Sequence, residues 1–293
     1  MVTKIYSKRL FSFFVIFHLL LSVAFSQSKK SGNDAELVYF NDTELRKLQS
    51  KYVDQEYSLE IYFPPSYSDT SKSFPVLYLL DSDKSFGMAK NIVEWLLLNN
   101  EIREVIIVGI SYREGFTNWW SKRSRDYTPT KDTSKKFGEW PLAGGANNFI
   151  KFLKHELIPF IDLNYRTLKN DRSIAGLSFG GLFCTYVLFT EQALFKNYIM
   201  SGAAPLFWDN KIIFDIEAKY FISNKNLSAT VFTAVGEFEP QYIIQPWKEF
   251  NEIIAKRNYV GLNFHNKIFE GETHLSTWPS ALTRGIKIIF EKK

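Results

Sequence analysis

Ser173-Ile174-Ala175-Gly176-Leu177-Ser178-Phe179-Gly180-Gly181 is a short apolar run that ends in G-x-S-x-G and passes straight into a helical pattern. A serine at this point sits on a strand-to-helix turn so tight that glycines at 176 and 180 are expected, since neither flank has room for a side chain. The turn pushes the hydroxyl out toward solvent and substrate. Ser178 is therefore the candidate nucleophile.

A serine hydroxyl is a poor nucleophile at neutral pH and needs a histidine to take its proton. The chain offers four: His18, His155, His265 and His274. His18 lies in an apolar N-terminal run. His155 belongs to Phe149-Ile150-Lys151-Phe152-Leu153-Lys154-His155-Glu156-Leu157-Ile158-Pro159, whose apolar residues recur at helical spacing, and it reads as a solvated helix face. His265 alternates with apolar residues in a strand-like run and reads as structural. His274 follows that strand in the loop Phe269-Glu270-Gly271-Glu272-Thr273-His274, just before Trp278-Pro279 opens the last helical pattern. It is the candidate general base.

If Ser178 stands on a hydrolase sheet of the G-x-S-x-G kind, the orienting acid falls between nucleophile and base in chain order. Ala229-Thr230-Val231-Phe232-Thr233-Ala234-Val235-Gly236 is rich in β-branched residues and releases Glu237-Phe238-Glu239-Pro240 into a loop. Both glutamates are candidates. Glu239 is preferred, because Pro240 fixes the chain just beyond it, and Glu237 is the second choice. Such a set performs acyl transfer: serine attacks the carbonyl, histidine carries the proton, and backbone N–H groups hold the developing oxyanion. It calls for no metal and no cofactor. One cysteine, Cys184, builds neither a zinc cluster nor an internal disulfide, and it reads as a small buried apolar residue.

The first residues carry Lys4, Lys8 and Arg9, Leu10 to Phe25 is almost wholly apolar, and Ala24-Phe25-Ser26 offers small residues for cleavage before Gln27. This is the pattern of a secretory signal peptide over residues 1–26. The apolar run falls short of the roughly twenty residues that span a bilayer, so no stable membrane anchor is expected. No cysteine lies near the cleavage point, which excludes a lipoprotein anchor. Absence of disulfides favours a bacterial periplasm or exterior over a eukaryotic secretory route.

Removing residues 1–26 takes away three positive and no negative side chains, so the formal charge falls from +5 to +2. The basic clusters Lys122-Arg123-Ser124-Arg125 and Lys135-Lys136 are local, so a nucleic-acid partner is not expected. Residues 27–293 contain no linker, repeat or low-complexity tract and read as one domain. Nothing in them bears on oligomeric state.

Strand patterns recur near residues 58–63, 76–80, 105–110, 173–175, 197–201, 230–235 and 263–269. Helical patterns recur near 86–98, 147–161, 180–189, 247–256 and 280–290. Alternation of this kind predicts a doubly wound, mostly parallel α/β sheet with helices on both faces. Continuous apolar strands such as Val105-Ile106-Ile107-Val108-Gly109-Ile110 belong in its middle. Ligand is then expected at the carboxyl ends of the strands.

Two long segments, 111–143 and 205–228, read as irregular, lid-like and unusually aromatic. Trp120 and Trp208, with Trp278, are candidate walls for a bulky aromatic or sugar-bearing ester. Lys122, Arg123 and Arg125 are candidates for charge-assisted binding of an anionic substrate, with a bracing role for Arg125 and Asp126 as the alternative.

Phe74-Pro75-Val76-Leu77-Tyr78-Leu79-Leu80-Asp81-Ser82-Asp83, Gly145-Ala146-Asn147-Asn148-Phe149, Glu156-Leu157-Ile158-Pro159-Phe160-Ile161-Asp162, Tyr165-Arg166-Thr167 and Gly176 to Gly181 together resemble the Putative esterase family of α/β-hydrolases. This family includes esterase D, enterobactin-type siderophore esterases, feruloyl and acetylxylan esterases, and mycolyltransferases. The resemblance runs from about Tyr57 to Phe290. It implies an α/β-hydrolase fold, a serine carboxylesterase, and a second oxyanion donor from the turn after the third core strand. The donors then fall on the backbone amides of Asp83 and Phe179, with Ser82 standing where the family usually has glycine. The family's acid lies three residues past a strand-ending glycine, which matches Gly236 to Glu239. The implied substrate is a siderophore trilactone ester of the enterobactin type, or alternatively a feruloyl or acetyl ester on a polysaccharide. A non-catalytic binding protein on the same scaffold is the reading from outside enzymology.

Overall fold

The computed structural model describes residues 40–132, 139–202 and 208–292. The signal-peptide pattern therefore lies outside the described residues, as do Lys135-Lys136 and parts of both aromatic segments. Eight strands form one sheet: β1 (Thr43–Ser50), β2 (Gln55–Tyr62), β3 (Phe74–Leu79), β4 (Ile106–Ser111), β5 (Thr167–Leu177), β6 (Asn197–Ser201), β7 (Asn226–Gly236) and β8 (Val260–Phe269). Their order is β1-β2-β4-β3-β5-β6-β7-β8. The β1/β2 and β2/β4 pairs are antiparallel and every other pair is parallel. The expected α/β-hydrolase sheet is thus present.

Helices follow the strands: α1 (Ser82–Leu98), α2 (Phe116–Tyr127), α3 (Ala146–Phe152), α4 (Ile158–Asn164), α5 (Phe179–Thr190), α6 (Trp208–Ser223), α7 (Gln241–Arg257) and α8 (Thr277–Phe290). A π-helical turn, Leu153–Leu157, joins α3 to α4 and carries the exposed His155. The period-2 geometry of a strand sends alternate residues to opposite faces. Ile106, Val108 and Ile110 enter the core covered by α3 and α5, while Ile107 enters the core under α1 and α8. α8 lies so close to the sheet that a Cβ at Gly285 would sit 2.7 Å from Ile199.

Two expectations need correction. The segment 111–143 is not irregular throughout: Phe116, Trp119, Trp120, Arg123 and Tyr127 fall at helical spacing and form one side of α2. Likewise 205–228 contains α6, which opens with Asp209, Asn210 and Lys211 all at positive φ. Among the described residues no helix is long and apolar enough to cross a membrane.

The strand order places the site. From β3 the chain moves to β4 on one side, and from β5 it moves to β6 on the other. Consequently α1 and α5 leave adjacent strands for opposite faces of the sheet. A crevice opens between their N-termini at the switch point, where unpaired backbone N–H groups converge.

Candidate active site

Ser178 follows β5 directly and caps α5 with φ 60° and ψ −120°, a strained conformation for a residue with a Cβ. Its N–H donates to the Ser201 carbonyl at 2.9 Å, and its own carbonyl accepts from Leu182 N at 2.9 Å. A Cβ at Gly176 would lie 2.5 Å from the backbone of Gly180, so the expectation for Gly176 holds. At Gly180 it would meet nothing nearer than 3.6 Å. The tight contact therefore runs from position 176 to the Gly180 main chain, and space at 180 itself is not the constraint.

His274 and Glu239 meet above the ends of β7 and β8. The His274 Nδ1–H donates to Glu239 Oε2 at 2.8 Å, and the Glu239 side chain is fully buried. A carboxyl oxygen that accepts from Nδ1–H fixes the tautomer in which Nε2 is free to accept a proton. Glu237 plays a different part, since its Oε2 accepts from Gly271 N at 2.9 Å and ties the β7 loop to the β8 loop. The same loops are joined by Glu237 N to Phe269 O and Phe238 N to Glu272 O, both 2.9 Å. A Cβ at Gly236 would lie 2.3 Å from Glu272 O, so only glycine lets the two loops approach this closely.

Gly202 connects the histidine to the serine, and sequence reasoning passed it over. Its neighbour Ser201 holds the Ser178 N–H, while a Cβ on Gly202 would lie 2.9 Å from His274 Cε1 and 3.2 Å from Leu177 Cδ1. Ser178 and His274 are thereby packed against consecutive residues, Ser201 and Gly202, at the end of β6. A glycine ending a strand is common, so its sequence signal is faint.

Phe179 and Asp83 occupy the first and second positions of α5 and α1, where N–H groups lack intrahelical acceptors. Asp81 takes the left-handed conformation ahead of α1, at φ 52°. Ser82 is already helical and donates to Glu60 Oε2 at 2.8 Å, so serine at this position needs no unusual backbone. The Asp83 carboxylate accepts from Ser111 Oγ, Tyr112 N and Arg113 N at 2.8, 3.1 and 2.7 Å, anchoring the α1 turn to the end of β4.

The predicted substrate contacts fare less well. Arg125 pairs with Asp126 at 2.7 Å, and Asp126 also accepts from Tyr57 and Tyr112 at 2.6 and 2.8 Å. Burial pushes both tyrosine hydroxyls well above their ordinary range, so they remain donors to this carboxylate. Arg125 braces the fold. Arg123 is buried on Asp81, and Lys122 pairs with Glu114, so neither is an open cation. Trp278 is also corrected: it is 4% exposed and its Nε1 donates to Ser85 Oγ at 2.9 Å, in the core between α8 and α1. Trp208 is 1% exposed, bonds Thr130 O at 3.0 Å and stands edge-on to Phe179 at 5.3 Å. It supports Phe179 from within the core. Trp120 stays half-buried, 6.0 Å from the Phe179 ring, and with Trp140 it packs on this residue that follows Ser178. Cys184 is buried in α5, and burial pushes its thiol far up. Among the described residues no group of His, Cys, Asp or Glu is arranged to hold a metal.

Comparison with known proteins gives the lineage of the chain. Ferri-bacillibactin esterase BesA of Bacillus subtilis is 30% identical over 88% of this chain and 93% of its own length. The crystal structure of the BES protein from Bacillus cereus matches with TM-score 0.80 at 28% identity, covering 90% of this chain and all of that one. An IroE-like serine hydrolase from Shewanella oneidensis matches with TM-score 0.75 at 26% identity, over 85% of this chain and 80% of its own. The family model described as "Putative esterase" matches residues 50–287. The chain belongs to the Putative esterase family and is an ester-hydrolysing α/β-hydrolase of the serine type.

Proposed function

We propose that Ser178, His274 and Glu239 form a catalytic triad, with the amides of Phe179 and Asp83 as oxyanion donors, and that the substrate is an aryl-bearing siderophore ester. The observation that carries the triad is the 2.8 Å bond from His274 Nδ1 to a fully buried Glu239, on an imidazole packed against the residue next to Ser201. His274 Nε2 takes the Ser178 proton as Oγ adds to the ester carbonyl, and the oxyanion is held at the two helix N-termini. Collapse of the tetrahedral adduct expels the alcohol, which receives that proton. Water, deprotonated by His274, then attacks the acyl-enzyme, releasing the acid and restoring Ser178.

Two features support the substrate class. Trp120 and Trp140, both half-buried and backed by the buried Phe179 ring, form an aromatic wall suited to stacking on aryl acyl groups. The relative BesA is named a ferri-bacillibactin esterase, and a relative from Emericella nidulans is named a siderophore enterobactin esterase. Export is part of the same proposal: the basic-apolar-small pattern of residues 1–26 suits cleavage before Gln27 and action outside the cytoplasm. The test is a panel of catecholate trilactones with and without iron, feruloylated sugars, acetylated xylan and p-nitrophenyl esters. A kcat/KM for the trilactones at least about a hundredfold above the glycan esters is expected, a margin of ~3 kcal/mol in transition-state binding. The reverse order would make this a carbohydrate esterase, and no turnover of any ester would leave only a binding role. Mass determination of the secreted protein checks cleavage before Gln27.

A further inference from the structure

The two amides proposed as oxyanion donors belong to different helices that leave the sheet in opposite directions. β3 and β5 are joined by ladder bonds up to Leu80 N–Ala175 O at 3.0 Å, but beyond that point the two turns part. One side chain crosses the gap. Arg123 Nε donates to Asp81 Oδ1 at 2.9 Å, Nη2 donates to Asp81 Oδ2 at 2.7 Å, and the same Nη2 donates to the Leu177 carbonyl at 3.2 Å. Asp81 lies two residues before Asp83, and Leu177 lies two residues before Phe179. The guanidinium thus bonds the same position of both turns.

We infer that Arg123 is a positioning residue that sets the spacing between the Asp83 and Phe179 amides, an inference resting on the assignment of those amides as the oxyanion hole. The planar fork of arginine satisfies two carboxylate oxygens and a carbonyl at once, which an ammonium group does not. Its plane is itself held by Trp119, Trp120 and Phe179, whose centroids lie 5.0, 5.0 and 5.4 Å from Cζ. Burial lowers the proton affinity of this guanidinium, and its charged and polar neighbours, Asp81 first, more than restore it, so Arg123 keeps its charge.

A contribution to folding alone does not account for the pair. Both partners are almost wholly buried, and among the described residues Nη1 has no hydrogen-bond partner. A buried ion pair with an unmet donor is a weak way to stabilise a core, where apolar residues of similar volume do as well or better. What the pair supplies is a fixed distance between two loops. Oxyanion donors act only within about 2.7–3.1 Å of the charge they stabilise, so a small drift of one turn is costly.

The test compares wild type with Arg123→Lys and Asp81→Asn, and uses Arg257→Lys, which loosens the remote Glu217 pair, as control. Hydrolysis of p-nitrophenyl acetate gives kcat and KM. A fluorophosphonate probe gives both the labelling rate at Ser178 and the final labelled fraction. For the two site variants kcat is expected to fall about 10- to 1,000-fold with KM within about threefold, because one displaced donor costs up to that much. Labelling should slow in parallel yet reach the wild-type endpoint, while Arg257→Lys keeps wild-type kcat per labelled site. Unchanged kcat per labelled site in Arg123→Lys would overturn the inference. So would an activity loss in both site variants matched by an equal loss of labelling endpoint, since the defect would then be in folding. A wild type that hydrolyses no ester and takes no label would instead refute the assignment of Ser178.

Discussion

Gly202 leaves no room for a side chain beneath His274: a methyl group at 202 would lie 2.9 Å from Cε1 and 3.0 Å from Nδ1 of the imidazole. Gly202 also has φ +48°, which an L side chain adopts at a cost of about 1–2 kcal/mol. Gly202→Ala should therefore lower stability by that amount and shift the base. A displacement near 1 Å costs about a hundredfold in rate, so kcat/KM is expected to fall on that order. Steady-state kinetics beside a urea melt measures both effects.

The two glycines of the serine turn should behave differently. Gly176→Ala drives a methyl to 2.5 Å from the Gly180 main chain, which cannot yield without moving the start of α5. A loss of about 3 kcal/mol or more is expected. Gly180→Ala meets only ordinary contacts, nearest 3.6 Å, and replaces a helical glycine, so its stability should stay within about 1 kcal/mol of wild type. Chemical denaturation of both variants decides the matter, and equal losses would contradict the steric account.

Glu239→Gln and Glu237→Gln separate the two acidic candidates. An amide at 239 no longer fixes the imidazole tautomer, and kcat should fall about 10³- to 10⁴-fold. An amide oxygen at 237 still accepts from Gly271 N, so kcat should stay within about threefold, the loss of one surface charge being worth little. Parallel kcat measurements of the two variants rank them.

Glu60 carries a pH signature. Burial raises its carboxyl above the ordinary 4.5, opposed by the Ser82 hydroxyl and by the charge of Arg113. The folded state then keeps this proton at pH values where the unfolded chain has released it. The group's contribution to stability is full below pH 4.5, declines as pH rises through the folded value, and stays low at neutrality. Glu60→Gln retains an acceptor for Ser82 and removes the titration. Relative to wild type, its Tm should rise between pH 4 and 7.5, and a pH-independent difference would refute the assignment.

The central sheet was legible because parallel strands covered on both faces must be continuously apolar, as Val105 to Ile110 are. Glu239 was singled out because a strand-ending glycine and Pro240 frame it, and the fold brings its carboxyl to His274. β1 was not, since Thr43–Ser50 is an edge strand with many exposed residues, created by pairing with β2 rather than by an apolar pattern of its own. α2 was hidden because its buried face mixes aromatic residues with Arg123, a charge that only the distant Asp81 makes acceptable there. Arg125 and Trp278 look the same in sequence whether they face substrate or core. Tyr57 and Tyr112, which bond Asp126, and Ser85, which bonds Trp278, are brought by the fold and decide it.

The identity of the nucleophile is tested most directly by fluorophosphonate treatment of the active protein followed by peptide mass mapping. One adduct per chain on Ser178, with p-nitrophenyl ester hydrolysis lost in step and both absent in Ser178→Ala, is expected. An adduct on another residue, or undiminished hydrolysis by Ser178→Ala, would contradict the account.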